Sequence, residues 1–146
     1  MTNSFDVSDY QRYAQAARLV ARTHIKLVEA LDAELAAFDI STAQYAVMAA
    51  LVAGRAHTAA QICHELSYDS GAMTRMLDRL AHKDLLLRKR SLDDRRTVLV
   101  ELTAHGQALY PAMLARTNLV LRQFFTRYEG DELETLAALL QKTAIS

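Results

Sequence analysis

Apolar residues recur at steps of three or four along the first part of the chain, at Tyr13, Ala17, Val20, Leu27, Leu31, Leu35 and Phe38, with His24 as the odd member of the stripe. This spacing predicts a helix of about seven turns, and residues 5–53 hold neither Gly nor Pro to interrupt it. Such a helix is longer than a small domain can cover by itself, so part of its apolar face is expected to meet a partner. Asp39-Ile40 breaks the stripe. Ser41-Thr-Ala-Gln44 then has the form of a capping box and opens a second helix through Tyr45, Met48, Ala49, Leu51 and Val52, which Gly54 stops. Thr58-Ala-Ala-Gln61 is a second capping box, predicting a short helix through Ile62, Cys63 and Leu66. A turn at Ser67-Tyr68-Asp69 separates it from a fourth helix on Ala72, Met73, Met76, Leu77 and Leu80, capped by Asp69 or Ser70. Two helices joined by so short a turn form a helix-turn-helix candidate.

The periodicity then changes. Residues 85–90 and 97–102 are rich in strand formers, and residues 91–96 between them are polar or charged apart from Leu92. This predicts a β-hairpin with a long basic tip. Thr103 opens a long helix through Leu109, Met113, Leu114, Val120, Leu121 and Phe124 to about Tyr128, with a kink or local break at Pro111. Asp131-Glu-Leu-Glu134 starts a last amphipathic helix through Leu133, Leu136, Ala137, Leu140 and Ile145. The fold class expected is mostly α with one small β-hairpin. No repeat or low-complexity linker appears, so residues 1–146 read as one domain.

With 146 residues, of which 51% are apolar, the chain can build a real core, and its four Gly and one Pro exclude collagen-like or disordered classes. A single cysteine, Cys63, excludes an internal disulfide and leaves too few thiols for a structural zinc site. Residues 1–10 are polar and acidic, unlike a signal peptide, and the apolar runs are shorter than the ~20 residues a bilayer needs. A soluble, cytoplasmic protein with no membrane association is expected. Its 17 basic and 17 acidic residues cancel, but they are unevenly placed. Residues 72–96 hold eight bases (Arg75, Arg79, Lys83, Arg88, Lys89, Arg90, Arg95 and Arg96) against four acids. A basic block on an otherwise acidic molecule gives it an electrostatic face.

A helix-turn-helix followed by a hairpin is a winged helix in outline, and here the residues become specific. Asp94-Arg95-Arg96-Thr-Val-Leu-Val-Glu-Leu102-Thr103-Ala-His-Gly106 resembles the wing signature of the MarR family (multiple antibiotic resistance regulators), Asp-x-Arg, five residues, Leu-Thr, then Gly after two more. Met73-Thr-Arg-Met-Leu-Asp-Arg-Leu-Ala-His-Lys83 is similar to that family's recognition helix. The resemblance covers essentially the whole chain. It implies a homodimeric regulator, a repressor rather than an activator, that binds an inverted-repeat operator in double-stranded DNA. The helices at about 1–40 and 104–146 would form the dimer, and residues at about 41–103 the winged lobe. One departure is visible, Asp84 where the family usually has Gly before the first wing strand.

The residue types suit that task physically. The N-terminal end of a recognition helix enters the major groove first, and there Ser70 and Gly71 allow close approach while Thr74 and Arg75 offer hydrogen bonds. Arg75 can reach phosphate or the guanine edge, Arg79 one turn later suits a phosphate, and so does Gln61. Arg95 and Arg96 suit the narrow minor groove of A·T-rich DNA. Asp94 cannot favour DNA directly and is expected to order the tip, by capping or by an ion pair.

The family's effector cleft lies where the dimer helices meet the winged lobe, and Arg18, Arg22, His24 and Tyr45 could surround one suited to a small anionic aromatic ligand. Metal sensing is weighed against this: no two of His24, His57, His64, His82 and His105 have the i, i+4 spacing of a helical ligand pair. Cys63, beside Ile62 and Leu66, reads as a small core residue rather than a redox sensor. A helical adaptor without DNA would leave the basic hairpin unexplained. Enzyme motifs (a phosphate loop, a nucleophile elbow, HExxH) do not occur, so neither catalysis nor a cofactor is expected.

Overall fold

The computed structural model describes residues 6–143. Six α-helices and one hairpin follow each other as α1 (Val7–Leu35), α2 (Thr42–Val52), α3 (Ala59–Leu66), α4 (Ser70–His82), β1 (Leu86–Arg90), β2 (Val98–Leu102), α5 (Ala104–Phe124) and α6 (Glu132–Thr143), with a 3₁₀ turn at Ala36–Phe38.

Each helix starts where its capping residue dictates. Ser41 and Thr58 close complete capping boxes with Gln44 and Gln61, and Asp69 accepts from the Ala72 amide to cap α4. Left-handed residues close the helical segments that precede the hairpin. At Asp84 (φ 58°) the Leu85 amide donates to the Leu80 carbonyl and the Asp84 amide to Ala81, the paired bonds of a Schellman stop. Gly54, Asp39 and Ser67 close the preceding segments with the same two bonds at φ 70°, 54° and 55°. The Asp84 departure therefore keeps the turn that Gly would supply.

The core lies in the lobe between α1 and α5. Leu35, Val47, Met48, Ile62, Met73, Leu77, Leu80, Leu86, Val100 and Met113 are buried together. The hairpin is antiparallel, with Leu86 opposite Leu102 and Arg90 opposite Val98. Its second strand is pinned to the start of α3, because the Val100 amide donates to the His57 carbonyl and Thr58 bridges Leu99.

The Leu102-Thr103-x-x-Gly106 run ties hairpin to helix. The Thr103 hydroxyl accepts from the Gly106 amide and donates to the Asp84 carbonyl, while the Thr103 amide donates to Leu85. A Cβ on Gly106 would lie 2.1 Å from the Leu85 carbonyl oxygen, so only glycine fits.

Three details differ from the sequence expectation. Of the kink or break expected at Pro111 the break does not occur: α5 continues through it, and the missing donor leaves only the carbonyl of exposed Gln107 to solvent. It also stops at Phe124 rather than near Tyr128, because short-range turns take over and the Phe125 ring packs edge-on against both Phe124 and Tyr128. The start of α6 is closed by Glu132, whose carboxylate accepts from the Glu129 amide. Ile145 lies outside the described residues. Among the described residues, no single helix is long and apolar enough to cross a membrane.

Candidate nucleic-acid interface

α4 buries Met73, Leu77 and Leu80 and turns Thr74, Arg75, Asp78 and Arg79 outward, as the three-to-four spacing requires. Its N-terminus is open for close approach. Gly71 leaves room beside the Asp69 carboxylate and the Arg75 guanidinium, which a Cβ would meet at 3.3 and 3.6 Å. The Thr74 hydroxyl donates to the Ser70 carbonyl at 2.8 Å, leaving its lone pairs to accept.

The basic block divides into two groups. Arg88 pairs with Asp78 at 2.6 Å, Lys89 with Glu101 at 3.2 Å, and Lys83 with Asp39 at 3.5 Å. Arg90 donates to the Arg95 carbonyl at 3.1 Å. These four brace the lobe: Lys83 ties the end of α4 to the joint before α2, Arg88 ties β1 to α4, and Lys89 and Arg90 hold the hairpin together. Among the described residues, Arg75, Arg79, Arg95 and Arg96 have no ion-pair partner, and all four are exposed. The cations expected to meet phosphates and base edges are thus those the fold leaves unspent.

At the hairpin tip, Asp94 makes no ion pair with an arginine. Its carboxylate accepts from the Arg96 amide at 3.0 Å and the Thr97 hydroxyl at 3.2 Å, and its carbonyl accepts from the Thr97 amide. Ser91 completes the turn, its hydroxyl accepting from the Asp93 and Asp94 amides. The Asp-x-Arg spacing is therefore that of a side chain capping the amide two residues on.

Gln61, Ser70, Thr74 and Arg96 line one cleft of about 500 Å³ between α3, α4 and β2. Gln61 spends its amide oxygen on the His57 and Thr58 amides and keeps its NH₂ group for an outside acceptor. Cys63 lines the same cleft, half-buried and packed against the hydrophobic core. Arg79 stands farther along α4, in a shallow depression with Asp78, His82 and Lys83.

The four residues expected around an effector are not gathered within one chain. Arg18 and Arg22 share a depression of about 510 Å³ with Leu19 and Ile25 on exposed α1. His24 is also exposed, but two residues on from Arg22 it faces a different side of the helix. Tyr45 turns to α5, where its ring stacks on Tyr110 and its hydroxyl lies 3.1 Å from that of buried Thr117. Tyr110 and Thr117 were not singled out from sequence; an isolated Tyr and Thr in a helical stripe carry no signal of their pairing.

A helix-turn-helix closed by a basic hairpin and packed against long helices defines a winged helix-turn-helix regulator. The chain belongs to the MarR family of transcriptional regulators. Its residues 31–113 match the family model described as Transcriptional regulator SarA/Rot. The multiple antibiotic resistance protein MarR of Escherichia coli (strain K12) is 35% identical over 126 residues, covering 86% of this chain and 88% of that one. The organic hydroperoxide resistance transcriptional regulator of Bacillus subtilis (strain 168) is 30% identical over 102 residues, covering 70% of this chain and 68% of its own. A crystal structure of mutant E. coli MarR complexed with operator DNA matches with a TM-score of 0.84 at 30% identity, covering 97% of this chain and 100% of that one.

Proposed function

We propose that this protein is a homodimeric, cytoplasmic repressor, and not an enzyme, that binds an inverted repeat in duplex DNA and releases it on binding a small anionic aromatic effector. The observation that carries the DNA role is the division of the basic block, with Arg75, Arg79, Arg95 and Arg96 left unpaired on the exposed side of α4 and the hairpin tip. Arg75 reads a base edge from the N-terminal half of α4, supported by Ser70, Gly71 and Thr74. Arg79 and Gln61 hold phosphates, and Arg95 and Arg96 enter the minor groove on a tip ordered by Asp94.

Dimerisation falls to α1, α5 and α6, which leave Leu19, Val20, Ile25, Leu119, Leu139 and Leu140 exposed. An apolar face of that extent calls for a second copy. The effector site then forms around Arg18 and Arg22 on α1. A ligand there acts by preferring one spacing of the two lobes, and it shifts DNA affinity only by its differential affinity for the two states.

Selection of bound sequences from a random duplex pool, followed by salt-dependent binding of the winner, tests the regulator role. A two-fold symmetric site with half-sites about one helical turn apart is expected, together with a steep loss of affinity as salt rises. Failure to enrich any sequence overturns it. Titration with phenolic carboxylates, with and without the selected duplex, tests the effector. Reciprocity requires DNA to weaken ligand binding by the factor by which ligand weakens DNA binding; equal ligand affinity in both conditions rules the coupling out.

A further inference from the structure

We infer that Leu92, at the apex of the wing, is a DNA-contacting residue that packs into the minor groove and favours A·T pairs beneath it. The inference rests on the DNA-binding role proposed above. Leu92 is 100% exposed, the most exposed of the large apolar side chains among the described residues. The hairpin tip is otherwise polar, as turns are, and a leucine there gains nothing from the fold of its own chain.

Its presentation is fixed rather than incidental. Ser91, immediately before it, donates its amide to the Thr97 carbonyl at 2.9 Å and accepts the Asp93 and Asp94 amides on its hydroxyl. Asp94 binds the Arg96 amide and the Thr97 hydroxyl. The backbone on both sides of Leu92 is thus held by side-chain bonds, and the isobutyl group projects from an ordered tip.

The occupant follows from what surrounds it. Arg95 and Arg96, unpaired and exposed, share this tip, and cations so placed seek the negative potential of a narrow minor groove. The walls of that groove are deoxyribose, an apolar surface on which leucine can bury its methyl groups, and leucine is among the side chains that insert there. A guanine amino group projects into the groove at G·C pairs and is absent at A·T pairs. An apolar side chain on the floor therefore discriminates against G·C, which the flexible arginines do less sharply.

The test uses Leu92→Ser in the full-length protein and the duplex that the wild type selects from a random pool, with the base pairs under the wing as A·T, as G·C, or as inosine·C, which lacks the amino group. Burying a leucine side chain corresponds to about tenfold or more in affinity, so Leu92→Ser is expected to bind the A·T duplex about tenfold more weakly. The wild type is expected to lose affinity on G·C and regain it on inosine·C, and the variant to distinguish the three less. Its melting temperature, its dimer mass and the slope of log affinity against log salt should stay unchanged, since Leu92 packs on nothing in the fold and neutralises no phosphate. Equal affinity and equal discrimination by variant and wild type overturn the inference while leaving the regulator role standing. A changed oligomeric mass in the variant overturns it in favour of a protein contact. A wild type that selects no duplex overturns the regulator role and this inference together.

Discussion

Tyr45 and Tyr110 lie with their rings parallel, centroids 5.7 Å apart and planes within 5°, so that α2 of the winged lobe is clasped to α5. Loss of water around the Tyr110 phenol, and then the hydrogen bond that phenol donates to the Tyr45 oxygen, push its pKa up from 10.0 to about 12. The folded state thus favours neutral Tyr110. Its contribution to stability is fully present below about pH 10 and is lost as pH rises through about 12. Urea midpoints measured across this alkaline range should fall more steeply for the wild type than for Tyr110→Phe. Parallel curves would show that the clasp does not depend on the phenol's proton.

Arg75 and Arg79 are one helical turn apart and both unpaired, yet they should fail differently when removed. Arg75→Ala is expected to cost ~1–3 kcal/mol of binding and to relax preference at one base position, whereas Arg79→Ala should weaken all sequences evenly and reduce the salt slope by about one. Binding to a panel of single-substituted duplexes at several salt concentrations separates the two. Even weakening by Arg75→Ala across the panel would make it a phosphate contact.

Charge alone predicts that Asp94→Ala tightens DNA binding, because it removes a negative group beside two arginines. The hydrogen bonds predict the reverse. Asp94 holds the Arg96 amide and the Thr97 hydroxyl, and loosening that turn should weaken operator binding by about fivefold, the worth of one such bond. Anisotropy titration of the selected duplex decides the sign.

Asp84 holds a left-handed conformation at φ 58° that glycine adopts without penalty. Its carboxylate has no bonding partner among the described residues, and the Schellman pair and the Thr103 bond use only its backbone. Asp84→Gly should therefore stabilise the protein by about 0.5 kcal/mol, raising the melting temperature by roughly 2 °C. A lower melting temperature would mean that the added freedom of the unfolded glycine chain outweighs the relief.

Helix starts were legible in the sequence because their chemistry is local. Ser41-x-x-Gln44 and Thr58-x-x-Gln61 each bond within four residues, and both boxes form as the pattern implies. Helix ends were less so. Of the four left-handed stops Asp39, Gly54, Ser67 and Asp84, only Gly54 announces itself by residue type. The unpaired arginines were visible as part of a basic block, but nothing in their spacing separated them from Lys83, Arg88 and Lys89. Those partners (Asp39, Asp78 and Glu101) are chosen by packing. The Tyr45–Tyr110–Thr117 contact was illegible for the same reason, since it joins residues 65 and 72 positions apart.

Between most packed elements the side chains form a compliant layer, because a rotamer can shift and absorb a small displacement. Where Gly106 meets Leu85 that layer is missing, and backbone faces backbone with no room for even a methyl group. The joint between α5 and the root of the wing therefore has almost no play. The 21 residues of α5 span about 31 Å, so the helix and the wing behave as a single stiff arm. Whatever tilts the far end of that arm, at the face proposed to meet a second copy, reorients the hairpin tip without slack in between.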